Sequence, residues 1–171
     1  WGYQLQDLDV DRLATAPQDL LVIDFSRGGA GEDALRPEDI ARLKKRPDKP
    51  DRIVLAYLSI GEAETYRDYW RWYWGGRWFS RPLGWFFAPA WLGAENREWR
   101  GNYAVRYWDA SWQQVILGTG AGGGYLDIIL KAGFDGVYLD KIDTSIETVA
   151  RGRATAKDDM RAFVRRIAEA G

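Results

Sequence analysis

Apolar positions along the chain switch repeatedly between a strand period and a helix period, an alternation that predicts an α/β fold. Gly2-Tyr3-Gln4-Leu5-Gln6 reads as a short strand, and a short helix follows from Asp9 to about Ala16, stopped near Pro17. Leu20-Leu21-Val22-Ile23-Asp24-Phe25 is a continuous apolar run with a carboxylate near its end, the pattern of a buried parallel strand. Pro37 opens a helix whose first turn carries Glu38 and Asp39 and whose last carries Lys44, Lys45 and Arg46, charges that complement the helix dipole. Ile53 to Ser59 is another apolar strand, and the spacing predicts a helix over Glu62 to Trp74. Gly75 to Asn102 is aromatic, punctuated by Gly and Pro, and has no clean period. Tyr103 to Tyr107 reads as a strand, Ser111 to Leu117 as helix, and Tyr125 to Ala132 as helix again after a glycine run. Gly136 to Leu139 is a strand ending in Asp140. Thr155 caps an amphipathic helix with Met160, Phe163, Val164 and Ile167 on its apolar side and Gly171 as its stop.

This gives five β-then-α units with no hairpin signal, hence a parallel sheet with right-handed crossovers in one domain over residues 1–171. Two architectures compete. An open doubly wound sheet suits the length, whereas a (β/α)8 barrel typically needs about 250 residues. The sequence opens at Trp1 rather than Met, which is read as removal of something upstream, either processing of a secreted precursor or trimming.

Composition narrows the chemistry. There is no histidine and no cysteine, which excludes Ser-His-Asp and thiol catalysis, His-ligated metals and zinc–thiolate sites. No metal and no cofactor are expected, and acid–base work falls to Asp, Glu, Tyr or Lys. The 24 Lys plus Arg against 25 Asp plus Glu leave a net charge of −1, with no general attraction for nucleic acid. The basic run from Arg42 to Arg52 contains Asp48, Asp51 and prolines and reads as a solvated helix end and loop. No apolar run approaches the ~20 residues of a membrane span, so no membrane insertion is expected.

Active sites of parallel β/α proteins lie at the C-terminal edge of the sheet. That edge carries Gln6-Asp7, Asp24, Glu62 and Glu64, Asp109, then Asp140 and Asp143. Asp109 serves equally well as the N-cap of the following helix, and Glu62 as a first-turn residue of the predicted one. Asp24 and Asp140 have no helix start beside them. Carboxylates on one rim with aromatic faces nearby suit a sugar site. The aromatic excess is regional: most of the 10 Trp, 9 Tyr and 6 Phe lie between Tyr66 and Trp112. Tyr69, Trp70, Tyr73 and Trp74 fall at helical spacing, so part of this set belongs to the core, while Gly84-Trp85-Phe86-Phe87 and Trp91 are the better cleft-wall candidates. A rival reading rests on Gly118-Thr119-Gly120-Ala121-Gly122-Gly123, which matches a dinucleotide-binding loop if Gln113 to Leu117 is a strand. A loop interrupting a helix accounts for the same glycines.

Four longer segments carry a family resemblance: residues 1–6 (Trp-Gly-Tyr-Gln-Leu-Gln), 57–64 (Tyr-Leu-Ser-Ile-Gly-Glu-Ala-Glu), 102–109 (Asn-Tyr-Ala-Val-Arg-Tyr-Trp-Asp) and 133–140 (Gly-Phe-Asp-Gly-Val-Tyr-Leu-Asp). In order and extent they resemble the endo-α-1,4-polygalactosaminidase-like glycoside hydrolases, some of which carry a cysteinyl-tRNA synthetase-related label. The resemblance implies a (β/α)8 TIM-type barrel, of which this chain covers about the first five βα units. It also implies a secreted or extracytoplasmic setting and hydrolysis of galactosamine-containing polysaccharide. The catalytic Asp at the end of the fifth strand corresponds to Asp140, followed at the Asp-x-x-Asp spacing by Asp143. The family's acid/base Glu belongs to a later strand with no match here, so it is expected beyond Gly171. Tyr3, Asp24, Tyr57, Glu62, Arg106, Asp109 and Asp143 are then expected to line sugar subsites. A non-catalytic carbohydrate-binding domain is the alternative, and a dinucleotide-binding enzyme comes third. If five parallel strands leave both sheet edges open, self-association through those edges is also expected.

Overall fold

The computed structural model describes residues 1–74, 87–119, 123–146 and 149–171. Its elements run β1 (Gly2–Gln4), α1 (Val10–Ala14), β2 (Leu20–Ile23), α2 (Pro37–Lys44), β3 (Ile53–Ser59) and β4 (Glu62–Glu64). Then follow β5 (Leu92–Glu95), β6 (Asn102–Val105), α3 (Ala110–Leu117), α4 (Tyr125–Ala132), β7 (Gly136–Asp140) and α5 (Ala156–Ala170). Short 3-10 turns occupy Gly31–Asp33 and Ile142–Ile146.

The described residues form two sheets. Four strands form a parallel sheet in the order β1-β2-β3-β7, as the alternating pattern requires. Successive strand residues point to opposite faces, and the two faces differ sharply in content. Leu21, Ile23, Val54, Ala56 and Leu58 join the core with Leu13, Ile40, Leu43 and Ile129 from the helices. The opposite face carries Tyr3, Val22, Tyr57 and Tyr138, with Tyr57 paired to Tyr138 and Ser59 to Asp140 in register. Tyr3 meets Tyr57 and Tyr138 edge-on, at ring-centroid distances of 6.4 and 5.9 Å.

Two expectations are corrected. Tyr103 to Tyr107 was expected to supply a parallel strand, but β6 runs antiparallel between β4 and β5 in a second, three-stranded sheet. Hence the parallel strands number four among the described residues rather than five, and Asp140 ends the fourth. Glu62 to Trp74 is not a helix. Its first three residues pair with Asn102–Ala104, and the rest forms consecutive turns closed by Arg67 N to Glu64 O, Trp70 N to Arg67 O and Trp74 N to Arg71 O. Turns of that kind repeat every three residues, so they keep the helical spacing of Tyr69, Trp70, Tyr73 and Trp74 without the helix. Residues 113–117 lie in helix α3, as their pattern predicts, so no strand leads into the glycine run as the rival dinucleotide loop requires. The run joins two helices, and its residues 120–122 lie outside the described set.

Two glycine- and arginine-based devices fix the frame around the sheet edge. A side chain on Gly61 would strike Lys141 O and the Thr144 hydroxyl, so glycine lets the β3–β4 turn lie directly against the chain leaving β7. Arg52 is buried and donates to the carbonyls of Leu13, Ala14 and Ala16, satisfying the C-terminal end of α1. Among the described residues Trp112 and Tyr107 are the largest fully buried side chains, and each satisfies its polar atom: Trp112 Nε1 donates to Ile60 O and Tyr107 OH to Ala156 O. Among the described residues no helix is long and apolar enough to cross a membrane.

Candidate active site

A cleft of about 1040 Å³ opens at the C-terminal ends of the parallel strands. Its floor is built from Tyr3 and the residues just after β1, from Asp24 after β2, Tyr57 in β3, and Asp140 with Lys141 at the end of β7. Glu64, Tyr66, Trp99, Asn102 and the Arg27–Gly29 segment complete the lining. Tyr57 OH donates to Asp140 Oδ2 at 2.7 Å, which fixes one carboxylate oxygen. Burial pushes the Tyr57 hydroxyl far above its ordinary value, with Glu64 and the bond to Asp140 adding to it, so it remains a donor. Tyr3 is pushed up to about 12, by burial first and then by Asp140 and Tyr138.

Behind the cleft floor lies a buried ion network. Arg67 donates to both oxygens of Asp24 at 3.0 and 2.8 Å, to Glu64 Oε2 at 2.9 Å and to Gly29 O at 3.2 Å. Its guanidinium also sits over the rings of Phe25 and Tyr66, 4.8 and 4.7 Å from their centroids. Burial draws the Arg67 pKa down, but Glu64 and Asp24 outweigh it and hold the group charged. Burial pushes the Glu64 carboxyl up, opposed by Arg67 and by Tyr66, whose OH donates to Glu64 Oε1 at 2.6 Å. Both Glu64 oxygens are therefore already occupied as acceptors. Asp24 also accepts from Ser26 N at 3.0 Å, so its carboxylate is fully engaged in the frame.

Of the residues singled out in the sequence, the fold brings Tyr3, Asp24, Tyr57 and Asp140 together on the cleft lining. Glu62 lies behind it and is only 1% exposed, receiving Asn96 Nδ2 at 2.8 Å, Asn102 Nδ2 at 3.3 Å and Lys141 Nζ at 3.3 Å. It is off the lining and does not start a helix, because strand pairing of β4 with β6 turns it inward. Arg106, Asp109 and Asp143 are not on the lining. The Arg106 guanidinium is taken by Ala90 O, Asp109 caps α3 by accepting from Ser111 N at 2.8 Å, and Asp143 sits exposed in a 3-10 turn. Trp91, expected in a cleft wall, is buried against Trp74 and Trp112. Phe87 is exposed and off the lining, and residues 84–86 fall outside the described set. Reading the sequence missed Arg67, Tyr66, Trp99, Asn102 and Lys141. Only their proximity to Glu64 and Asp140 in the chain could have flagged some of them.

The chain has recognisable relatives among known proteins. It is 44% identical over 143 residues to an uncharacterized protein of Methanocaldococcus jannaschii, covering 84% of this chain and 36% of that protein. It is 34% identical over 172 residues to an uncharacterized protein of Thermotoga maritima, covering 99% and 47%. The chain thus spans less than half the length of these relatives. Among solved structures it is similar to Aspergillus fumigatus Ega3 in complex with galactosamine, with a TM-score of 0.64 at 22% identity, covering 99% of this chain and 54% of that one. It is also similar to the glycoside hydrolase domain of PelA from Pseudomonas aeruginosa, with a TM-score of 0.60 at 18% identity, covering 97% and 53%. At those identities the likeness speaks for the fold. The family model for glycoside-hydrolase family GH114 matches residues 1–170, and the chain belongs to that family.

Proposed function

We propose that the protein is a glycosidase acting on galactosamine-containing polysaccharide, with Asp140 as the carboxylate at the anomeric carbon. The observation that carries this reading is Asp140 itself. It ends a parallel strand inside the cleft, with one oxygen held by Tyr57 and the other unconstrained by that bond. Family membership supports glycoside hydrolysis, and the galactosamine bound to Ega3 supports the choice of sugar. As nucleophile, Asp140 would bond to the anomeric carbon; as a stabilising carboxylate, it would face the positive charge that develops there. Tyr57 favours either role by orienting the carboxylate before substrate arrives.

Among the described residues the cleft lining holds four carboxylates, from Asp7, Asp24, Glu64 and Asp140. Arg67 offsets those of Asp24 and Glu64, so they serve the frame rather than proton transfer. Both oxygens of Glu64 already accept hydrogen bonds, so Glu64 is not proposed as the acid/base partner. The four parallel strands are read as part of a β/α barrel. An extracytoplasmic setting goes with a polymeric substrate of this kind.

Asp140→Asn in the intact protein tests the reading. The variant keeps its shape and should melt within a degree or two of the parent. Reducing ends released from a galactosamine polymer should fall at least a hundredfold, on the order expected for a reacting carboxylate. Turnover close to that of the parent would remove Asp140 from the chemistry.

A further inference from the structure

We propose that Trp99, at the tip of the β5–β6 hairpin, is a stacking platform for a pyranose ring of the polysaccharide, forming a subsite beside Asp140. This rests on the reading of the cleft as a polysaccharide site. Trp99 lies on the cleft lining and is 66% exposed. An exposed tryptophan is unremarkable in itself. What sets this one apart is how firmly it is presented. Among the described residues no aromatic ring packs against it, yet the backbone beneath it is held by several hydrogen bonds.

Asn96 Oδ1 accepts from Glu98 N at 3.0 Å and from Trp99 N at 3.3 Å. Asn102 N donates to Trp99 O at 3.1 Å, and Asn96 N donates to Asn102 O at 2.7 Å. Gly101, with φ +90°, closes the loop and donates its N–H to Glu95 Oε1 at 3.0 Å. These bonds hold the loop in one shape although the tip residue itself is largely in solvent. A rigid loop carrying an uncovered indole binds a flat partner without first paying to order itself.

The hairpin is also tied to the reacting end of the sheet. The same Asn96 that fixes the tip donates its Nδ2 to buried Glu62, and Glu62 pairs with Lys141, the residue after Asp140. The position of Trp99 is therefore referenced to Asp140 through Asn96, Glu62 and Lys141 rather than left to a free loop. The apolar C–H face of a pyranose matches an indole face, while the sugar's hydroxyl and amino groups remain free to meet Asp7 and Asp140 on the lining.

The test uses the intact protein carrying Asp140→Asn, titrated calorimetrically with de-N-acetylated α-1,4-galactosamine oligosaccharides. Adding Trp99→Ala should weaken binding roughly tenfold, whereas Trp99→Phe should recover most of the affinity. Both should melt at the temperature of the background protein, since the side chain is mostly exposed. If Trp99→Ala binds as tightly as the background, the platform is overturned and the function of the cleft stands. If Trp99→Phe is as weak as Trp99→Ala, stacking is overturned as the cause. If the Asp140→Asn background binds none of these oligosaccharides, the substrate reading fails and the platform fails with it.

Discussion

Replacing Arg67 by Met keeps the length of the side chain but leaves two buried carboxylates without their cation. The three side chains are almost wholly enclosed: Arg67 is 3% exposed, Asp24 4% and Glu64 6%. Three charge-assisted bonds of 2.8–3.0 Å disappear together with the contacts over Phe25 and Tyr66. Breaking a buried pair by removing one partner costs about 3–5 kcal/mol, most of it from the charge left uncompensated. In a protein of this size that corresponds to about 6–20 °C in Tm. The pH dependence has a definite sign. Burial raises the folded-state pKa of Glu64 above its unfolded value, so the native chain binds the proton more tightly and stability falls as pH rises. Without Arg67 that elevation grows. The deficit of the variant should therefore be largest at neutral pH and shrink as the pH falls towards about 4, where carboxylates protonate in the unfolded chain as well. Thermal melts followed by circular dichroism at several pH values measure this directly. A deficit under about 1 kcal/mol at neutral pH, or one that widens on acidification, would refute the reasoning. Adding Asp24→Asn and Glu64→Gln to the same variant should restore part of the loss, because the uncompensated charges are then gone.

Tyr57→Phe removes the hydroxyl that holds Asp140, a bond to a charged acceptor worth about 1.5–3 kcal/mol. Steady-state kinetics should show kcat lower by about ten- to hundredfold, and an unchanged kcat would mean that Asp140 needs no such support. Asp109→Ala removes the cap of α3 and should cost about 1 kcal/mol in a melt while leaving KM and kcat untouched. A raised KM without destabilisation would make Asp109 a substrate ligand instead.

The elements that depend on local pattern were legible from the residues alone. The apolar runs of β2 and β3, the Pro37 helix start and the apolar stripe of α5 each follow from periodicity and capping over a few residues, and all appear in the structure. Asp140 was also legible, because a carboxylate ending an apolar strand must reach an open edge. Pairing direction was not. Asn102–Val105 has the same strand character in either orientation, and only its partners, β4 and β5, make it antiparallel. That choice turned Glu62 inward, reduced the parallel strands to four and created the hairpin that carries Trp99. Arg67 was hidden for a related reason. Nothing in Tyr66-Arg67-Asp68 distinguishes it from a surface arginine, and its role arises from Asp24, 43 residues away, arriving at the end of the neighbouring strand. Short-range pattern fixes which residues form an element, since that depends on a period of two or 3.6 positions. Which buried charges meet, and which aromatics stay uncovered, depends on contacts between distant segments, and those exist only once the sheet order is set.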